Sequence, residues 1–141
     1  MASAIMAHEE DLTAKETAIV DIGEWTARSL AVPDMIRYRR KVEAIIHDAN
    51  CFIALRREHG TFAKWLWSFT DGKTLHNPDN VQSDEWTVPT RTELSDRIAA
   101  ELRARGFKFL GSVTVYAFMQ SVGLVNDHAR FCFRYRELTR A

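Results

Sequence analysis

The sequence predicts an all-α fold, and two features carry that prediction. Apolar residues recur at helical spacings of three, four and seven over long stretches. Turn-forming glycines and prolines stand mostly at the ends of those stretches, where helices stop. A chain of 141 residues with 46% apolar content has the length and composition to bury one core. We therefore expect a single helical domain, residues 1–141.

Composition also bounds the setting. No apolar run approaches the ~20 residues that span a bilayer, so we expect no contact with membranes. The first residues, "MASAIMAHEEDL", lack the basic start and long apolar stretch of a signal peptide. Two cysteines, Cys51 and Cys132, give no disulfide framework. These observations predict a cytoplasmic protein with reduced thiols.

The first part of the chain contains two helical patterns. Residues 9–30 are weakly patterned, and Gly23 is a soft spot within them. Residues 33–60 give the longest helical signal in the sequence. Pro33 fits the first turn of that helix and Gly60 is a natural end. We therefore expect two helices here, a weakly patterned first helix and a long second one.

A short aromatic helix and a loop come next. "TFAKWLWSF" predicts a short helix that contributes to the core. "TDGKTLHNPDNVQSDEWTVPT" is rich in turn formers and holds two of the three prolines, which predicts a long loop.

Two further helices are predicted in "SDRIAAELRARGFKFLGSVTVYAFMQSVG". Ser95 suits the N-cap of the first, and Gly106 suits the position just after its end. The second should begin near Ser112. Residues 113–122 are apolar nearly all round, so we expect that helix to be buried.

Between these helices "GFKFLG" forms a tight turn with a glycine at each end, a helix–hairpin–helix pattern over residues 95–122. Gly106 and Gly111 would let the backbone turn sharply and approach a ligand. The helix starting at Ser112 offers free N–H groups to an anion, and Lys108 adds charge suited to phosphate. These four residues are the predicted DNA-binding residues. A plain pair of helices with glycine caps explains the same pattern equally well.

The net charge of zero hides an asymmetry along the chain. Residues 91–141 carry nine Lys or Arg against five Asp or Glu, and residues 1–90 carry ten against fourteen. The basic C-terminal third, with Arg103 and Arg105 next to the turn, could face a polyanion. Chance surface composition is the alternative.

His128 and Cys132 form an H-x3-C pair, which on a helix would place both side chains on one face. Imidazole and thiolate are zinc ligands, and a closed tetrahedral site needs two more. Cys51 falls inside the long helix, and His8 is a stray candidate. The sequence predicts a zinc half-site rather than a complete site.

The motifs together resemble a known family. "RGFKFLG", "YAFMQ" and "GLVNDH" look like motifs in the C-terminal half of DNA-3-methyladenine glycosylase I. "MIRYRRKVEAIIHDAN", "FAKWLWSF" and "VPT" extend the resemblance upstream, so that it covers about 35–132. Residues 1–32 match weakly, and residues 123–141 contain the half-site.

The resemblance implies a helix–hairpin–helix DNA glycosylase fold. It also implies hydrolysis of the N-glycosidic bond of 3-methyladenine in double-stranded DNA, by a monomer. In the family, a glutamate and several aromatic residues form the base pocket, upstream of the part that aligns here, so the catalytic residues of this chain stay unassigned. The family's structural zinc has a Cys and a His near the N-terminus besides the pair that matches His128 and Cys132. This sequence has no N-terminal cysteine.

Two smaller predictions concern the residues after the turn. Asp127 follows it at a spacing similar to that of the catalytic aspartate in other hairpin glycosylases, but we favour Asp127 or Asn126 as a helix N-cap. Relatives that cut the strand use a lysine in the second helix, and "SVTVYAFMQSVG" has none. Tyr116, Phe118 and Met119 could line a base pocket, but their helical spacing makes them core residues first.

Three functions stay open at this point. The first is an active alkyladenine glycosylase. The second is a DNA-binding hairpin domain without catalysis, and the third is a helical interaction module that binds no DNA.

Overall fold

A computed structural model describes residues 22–33, 38–77 and 88–139, which fold mainly as helices and confirm the all-α prediction. The helices are α1 Ile22–Ala31, α2 Arg39–His59, α3 Phe62–Trp67, α4 Glu93–Ala104, α5 Ser112–Ser121 and α6 Phe133–Thr139, and a 3₁₀ turn covers Ser68–Thr70. Two short strands, β1 Leu75–His76 and β2 Val125–Asn126, pair in parallel. None of the helices in the described ranges is long and apolar enough to cross a bilayer.

Helices α1 and α2 pack against each other. The predicted first helix is present from Ile22 onward, and its earlier part lies outside the described residues. The predicted start of α2 at Pro33 is wrong, because α2 begins at Arg39 with Tyr38 as its N-cap. Pro33 instead follows the end of α1, where a proline cannot continue a helix. The predicted end is confirmed: Gly60 has φ +86° and its N–H donates to the Arg56 carbonyl.

The aromatic segment forms α3 as predicted, and Thr61 caps it by accepting a hydrogen bond from the Lys64 N–H at 2.9 Å. Trp65 and Leu66 of α3 are buried in the core. The long-loop prediction missed β1, because a two-residue strand leaves no periodic signal. The middle of that loop, residues 78–87, lies outside the described residues.

The prediction of Ser95 as N-cap is wrong by three residues. Thr92 is the N-cap of α4, and Ser95 is the third helical residue in a capping box. The Ser95 N–H donates to Thr92 Oγ1 at 3.3 Å, and the Thr92 N–H donates to Ser95 Oγ at 2.9 Å. Either residue type can cap a helix, so the sequence alone offered two registers.

Helices α4 and α5 pack against each other, and the core lies between them, α2 and α3. Its fully buried side chains include Leu55, Ile98, Met119 and Leu124. The prediction that α5 is buried all round is wrong, because Val113 is 58% exposed and Phe118 40% exposed. One face of α5 packs into the core and the other stays open.

A parallel clasp joins the segment after α3 to the segment after α5. Leu75 pairs with Val125 and His76 with Asn126. The Leu75 N–H donates to the Leu124 carbonyl at 2.9 Å, and the Thr74 hydroxyl donates to the Gly123 carbonyl at 2.9 Å. The clasp fixes where the chain goes after α5.

Candidate nucleic-acid interface and the adjacent cavity

The turn between α4 and α5, residues 105–111 (called the hairpin below), is built on two left-handed residues. Gly106 has φ +96°, as a residue just after a helix end requires, and Phe109 has φ +55°. Gly111 is the N-cap of α5 with an ordinary φ of −105°. A Cβ built on Gly111 would meet nothing within 4 Å. The backbone therefore does not require glycine at position 111, and the space next to this residue is open.

The N–H groups of Gly106, Phe107 and Lys108 already have acceptors within the protein. Gly106 donates to the Arg103 carbonyl at 2.9 Å and Phe107 to the Leu102 carbonyl at 3.1 Å. The Lys108 N–H donates to Asp48 Oδ1 at 2.8 Å. These three N–H groups are therefore not available to an anion. The start of α5 can still offer donors to an anion, because its N-cap Gly111 has no side chain to cap the helix.

Helix α2 supports the hairpin from below. His47 Nε2 lies 3.0 Å from the Gly106 carbonyl oxygen, and Cys51 Sγ lies 3.6 Å from His47 Nε2. Burial, followed by the negative charge of Asp48, raises the pKa of the Cys51 thiol. These supporting contacts could not be predicted from the sequence, because His47 and Gly106 are 59 positions apart and belong to no shared motif.

Both arginines next to the hairpin make hydrogen bonds within the protein. Arg103 Nη1 donates to the Leu110 carbonyl at 3.3 Å, and Arg105 Nη2 donates to Glu58 Oε1 at 3.2 Å. The hydrogen bond from Arg105 lowers the pKa of the Glu58 carboxyl, with its positive charge adding to the effect. The exposed side chain of Lys108 is thus the predicted basic group best placed to meet a phosphate.

A cavity of about 510 Å³ lies at the other end of α5. Its volume is within the range of small-molecule sites. It is bounded by Trp67, Gly72, Thr74, Val88, Gln120, Ser121, Val122, Gly123, Val125, Asn126, Asp127, His128, Arg134 and Leu138. The sequence did not indicate this cavity, since its walls come from four separate segments.

Asp127 is a buried carboxylate on the cavity wall, not a helix cap. Its Oδ2 accepts hydrogen bonds from the Tyr116 hydroxyl and from Gln120 Nε2, both at 2.7 Å. The capping prediction is wrong because the next helix, α6, starts only at Phe133. Asn126 is in β2, and its Oδ1 accepts the His128 N–H at 3.1 Å in a local turn. Burial and then the bond to Asp127 raise the pKa of Tyr116 well above its ordinary value.

His128 and Cys132 are close together, although a turn and not a helix places them there. His128 Nδ1 lies 3.7 Å from Cys132 Sγ. Two ligands of one tetrahedral zinc would be about 3.6 Å apart, given zinc bonds of ~2.0 Å to nitrogen and ~2.3 Å to sulfur. The pair therefore fits half of a site. The described ranges hold no group of three or more His, Cys, Asp or Glu side chains that could bind a metal, and His8 lies outside them.

The three residues that could line a base pocket, Tyr116, Phe118 and Met119, differ in burial. Tyr116 and Met119 are 3% and 0% exposed and belong to the core, as predicted. Phe118 is on the open face of α5. Its ring is 6.1 Å from that of Phe62, centre to centre.

Comparison with known proteins gives a consistent result. The family model for methyladenine glycosylase matches residues 14–135. A DNA-3-methyladenine glycosylase of Haemophilus influenzae is 42% identical over 98 residues, covering 70% of this chain and 51% of that protein. DNA-3-methyladenine glycosylase 1 of Escherichia coli is 38% identical over 102 residues, covering 72% and 52%. The chain thus spans about half the length of these relatives.

Solved structures agree with the sequence comparison. The 3-methyladenine DNA glycosylase I of Staphylococcus aureus superposes with a TM-score of 0.70 at 27% identity, covering 82% of this chain and 60% of that one. A variant of 3-methyladenine DNA glycosylase I in complex with 3-methyladenine gives a TM-score of 0.73 at 29% identity, covering 91% and 68%.

Proposed function

The chain belongs to the methyladenine glycosylase family, and from that membership we propose that it excises 3-methyladenine from double-stranded DNA. The observation that carries the proposal is the family match over residues 14–135, supported by 42% identity to a curated DNA-3-methyladenine glycosylase. The hairpin, and the cavity at the other end of α5, support the proposal as places where DNA and an extruded base could bind.

In this proposal the hairpin holds the DNA backbone. Gly111 leaves open space in front of the first turn of α5, so a phosphate could approach the Ser112 end of that helix. The exposed Lys108 side chain adds positive charge to the same turn, and Gly106 shapes that turn. Contacts of this kind bind any DNA sequence, as an enzyme that searches for damaged bases requires.

The chemistry asks little of the protein once the base is extruded. Alkylation at N3 makes the adenine cationic, so breaking the bond from C1′ to N9 returns an electron pair to a positively charged base. A water oxygen then bonds to C1′ and loses a proton, which leaves free 3-methyladenine and an abasic sugar. The enzyme must flip the nucleotide, hold the base and admit water.

The cavity beside Asp127 supports this proposal. Helix α5 has ten residues and is about 15 Å long. The cavity at its far end is therefore close enough to receive a base extruded from DNA that is held at the hairpin. A buried carboxylate held by Tyr116 and Gln120 would favour a cationic base, or the positive charge that develops on the sugar. The residues that contact the base in this chain stay unassigned.

The test is base release from duplex DNA treated with a methylating agent. We expect chromatography to detect free 3-methyladenine, and the strand to break only after heat or alkali. DNA binding without base release would support the second function, a hairpin domain that lacks catalysis. Absence of both would contradict the proposal and favour an interaction module.

Three finer properties belong to the same proposal. His128 and Cys132 would supply two of four ligands to a structural zinc, whose role would be to join the end of the chain to another segment. The protein would act as a monomer. Its two free thiols suit the reducing cytoplasm.

A further inference from the structure

One stripe of α2 runs beneath the tip of the hairpin. Tyr38, Lys41, Ile45 and Asp48 follow one another at spacings of three and four, so they share a side of the helix. Both ends of this stripe contact the hairpin. The ring of Tyr38 meets that of Phe109 edge to face at 6.4 Å, and Asp48 accepts the Lys108 N–H at 2.8 Å.

The surface between these contacts is apolar and open. Ile45 is 66% exposed, Phe109 58% and Tyr38 45%. We call these three side chains, with Lys41 and Lys108, the hairpin-tip surface. Two of these exposed side chains, Tyr38 and Phe109, contact each other, and Ile45 shares the stripe with Tyr38. Grouped exposure of apolar side chains marks interaction sites more often than single exposed residues do.

Phe109 also carries backbone strain that its ring does not explain. Its φ of +55° is in the left-handed region, which costs a non-glycine residue about 1 kcal/mol or more. Glycine would adopt this conformation freely, yet the position holds a large ring that is mostly in solvent. Strain of this kind at an exposed position indicates that the ring is kept for something outside the protein.

We propose that the hairpin-tip surface is a second DNA contact, in which Phe109, Tyr38 and Ile45 pack against deoxyribose next to the phosphate held at the start of α5. This rests on the proposed function. Phe109 is two residues from Gly111, at most about 7 Å of chain, so a phosphate at α5 brings its own sugar within reach of the ring. A sugar presents an apolar face between two charged phosphates.

The charges of the surface fit the same partner. Lys41, between Tyr38 and Ile45 in the stripe, and Lys108, next to Phe109 in the hairpin, are both exposed. The acidic member of the stripe, Asp48, has one carboxylate oxygen engaged by the Lys108 N–H. Alternating apolar and cationic groups match the alternation of sugar and phosphate along a strand better than they match a purely apolar protein surface.

The experiment is a titration of a fluorescent DNA duplex by anisotropy at several salt concentrations. Phe109→Gly removes the ring and the strain together. We expect affinity to fall about fivefold, the value for losing roughly half of a buried phenylalanine. The slope of affinity against salt should stay unchanged, because no charge is lost. Ile45→Ser, at a position already mostly exposed, should fold normally and weaken binding about twofold.

Two controls frame the result. Phe131→Ser removes a ring that is 74% exposed on another segment, and should leave affinity unchanged. Lys108→Gln should reduce the salt slope by about 0.9, as expected for one phosphate contact.

The outcomes separate the two proposals. A wild-type protein that binds no DNA at low salt contradicts the proposed function itself. Wild-type binding combined with full affinity in both Phe109→Gly and Ile45→Ser overturns only the hairpin-tip contact. A smaller salt slope in Phe109→Gly would mean that the ring acts by placing Lys108, which also overturns the sugar contact.

Discussion

Replacing the two hairpin glycines by alanine should produce different defects: Gly106→Ala should lower stability, and Gly111→Ala should weaken DNA binding. Gly106 has φ +96°, where alanine pays about 1 to 2 kcal/mol of strain. The added Cβ would lie 3.4 Å from Cys51 Sγ, an ordinary contact, so no clash adds to that cost. A less flexible unfolded chain returns about 0.4 to 1 kcal/mol. The net loss for Gly106→Ala is about 1 kcal/mol.

Gly111→Ala should leave stability almost unchanged. With φ −105° and open space around a Cβ, the backbone accepts alanine without strain. Losing a glycine N-cap costs a few tenths of a kcal/mol to ~1 kcal/mol, and the entropy gain in the unfolded chain offsets about the same amount. The new methyl group, however, would stand where a phosphate must approach the first turn of α5. Displacing charge-assisted hydrogen bonds costs about 1.5 to 3 kcal/mol, so affinity should fall about tenfold or more.

Calorimetry and DNA anisotropy on the same preparations check both halves. Gly106→Ala should lower Tm by about 3 to 5 °C for a chain of this size, and Gly111→Ala should leave it within about 2 °C. Gly111→Asp, which adds a like charge facing the phosphate, should bind more weakly still. Wild-type affinity in Gly111→Ala would refute phosphate binding at α5. Wild-type stability in Gly106→Ala would refute the argument from the left-handed backbone.

Three further predictions concern the rest of the molecule. Tyr116→Phe removes a hydrogen-bond donor to the buried Asp127 carboxylate, and denaturant unfolding at pH 7 should show a loss of about 1.5 to 3 kcal/mol. Because the folded-state pKa of Tyr116 is raised, its contribution to stability is fully present below about pH 10 and is lost as pH rises further. The Phe variant should lack this part of the alkaline destabilisation. Equal slopes of unfolding free energy against pH above pH 10 in the two proteins would contradict this. Reaction with methylated duplex should give no protein–DNA adduct on borohydride treatment, and a trapped adduct would reveal a lysine nucleophile. After dialysis against a chelator, elemental analysis should find less than one zinc per chain if His128 and Cys132 are the only ligands, whereas stoichiometric zinc would identify recruited ligands elsewhere.

What the sequence could predict depended on whether the signal was local. Helix ends at Gly60 and Gly106 followed from single residues that adopt a left-handed backbone easily, and both were confirmed. The N-cap of α4 was misplaced because Thr92 and Ser95 are both good caps and only the capping box decides between them. Burial of α5 was overestimated because an apolar helix does not say which of its faces meets a partner.

The site was harder to predict than the fold, because its contacts are distant in sequence. Asp127 looked like a helix cap, and only the folded chain brings the Tyr116 hydroxyl against it. The support that His47 and Asp48 give to the hairpin joins positions 59 and 60 residues apart. His128 and Cys132 do lie together, but a turn and not a helix does this, so spacing alone predicted the right proximity for the wrong reason.

The parallel clasp between β1 and β2 has a consequence for how the hairpin unfolds. By joining Leu75 to Val125, the clasp closes a loop of about fifty residues that contains both α4 and α5. Because the clasp holds the two ends of this segment together, we expect it to open together with the packing of α4 against α5. Native-state hydrogen exchange should therefore show the Leu75 amide and the core amides of α4 and α5 exchanging as one cooperative unit. Helices α4 and α5 would then open together rather than as two helices free to separate.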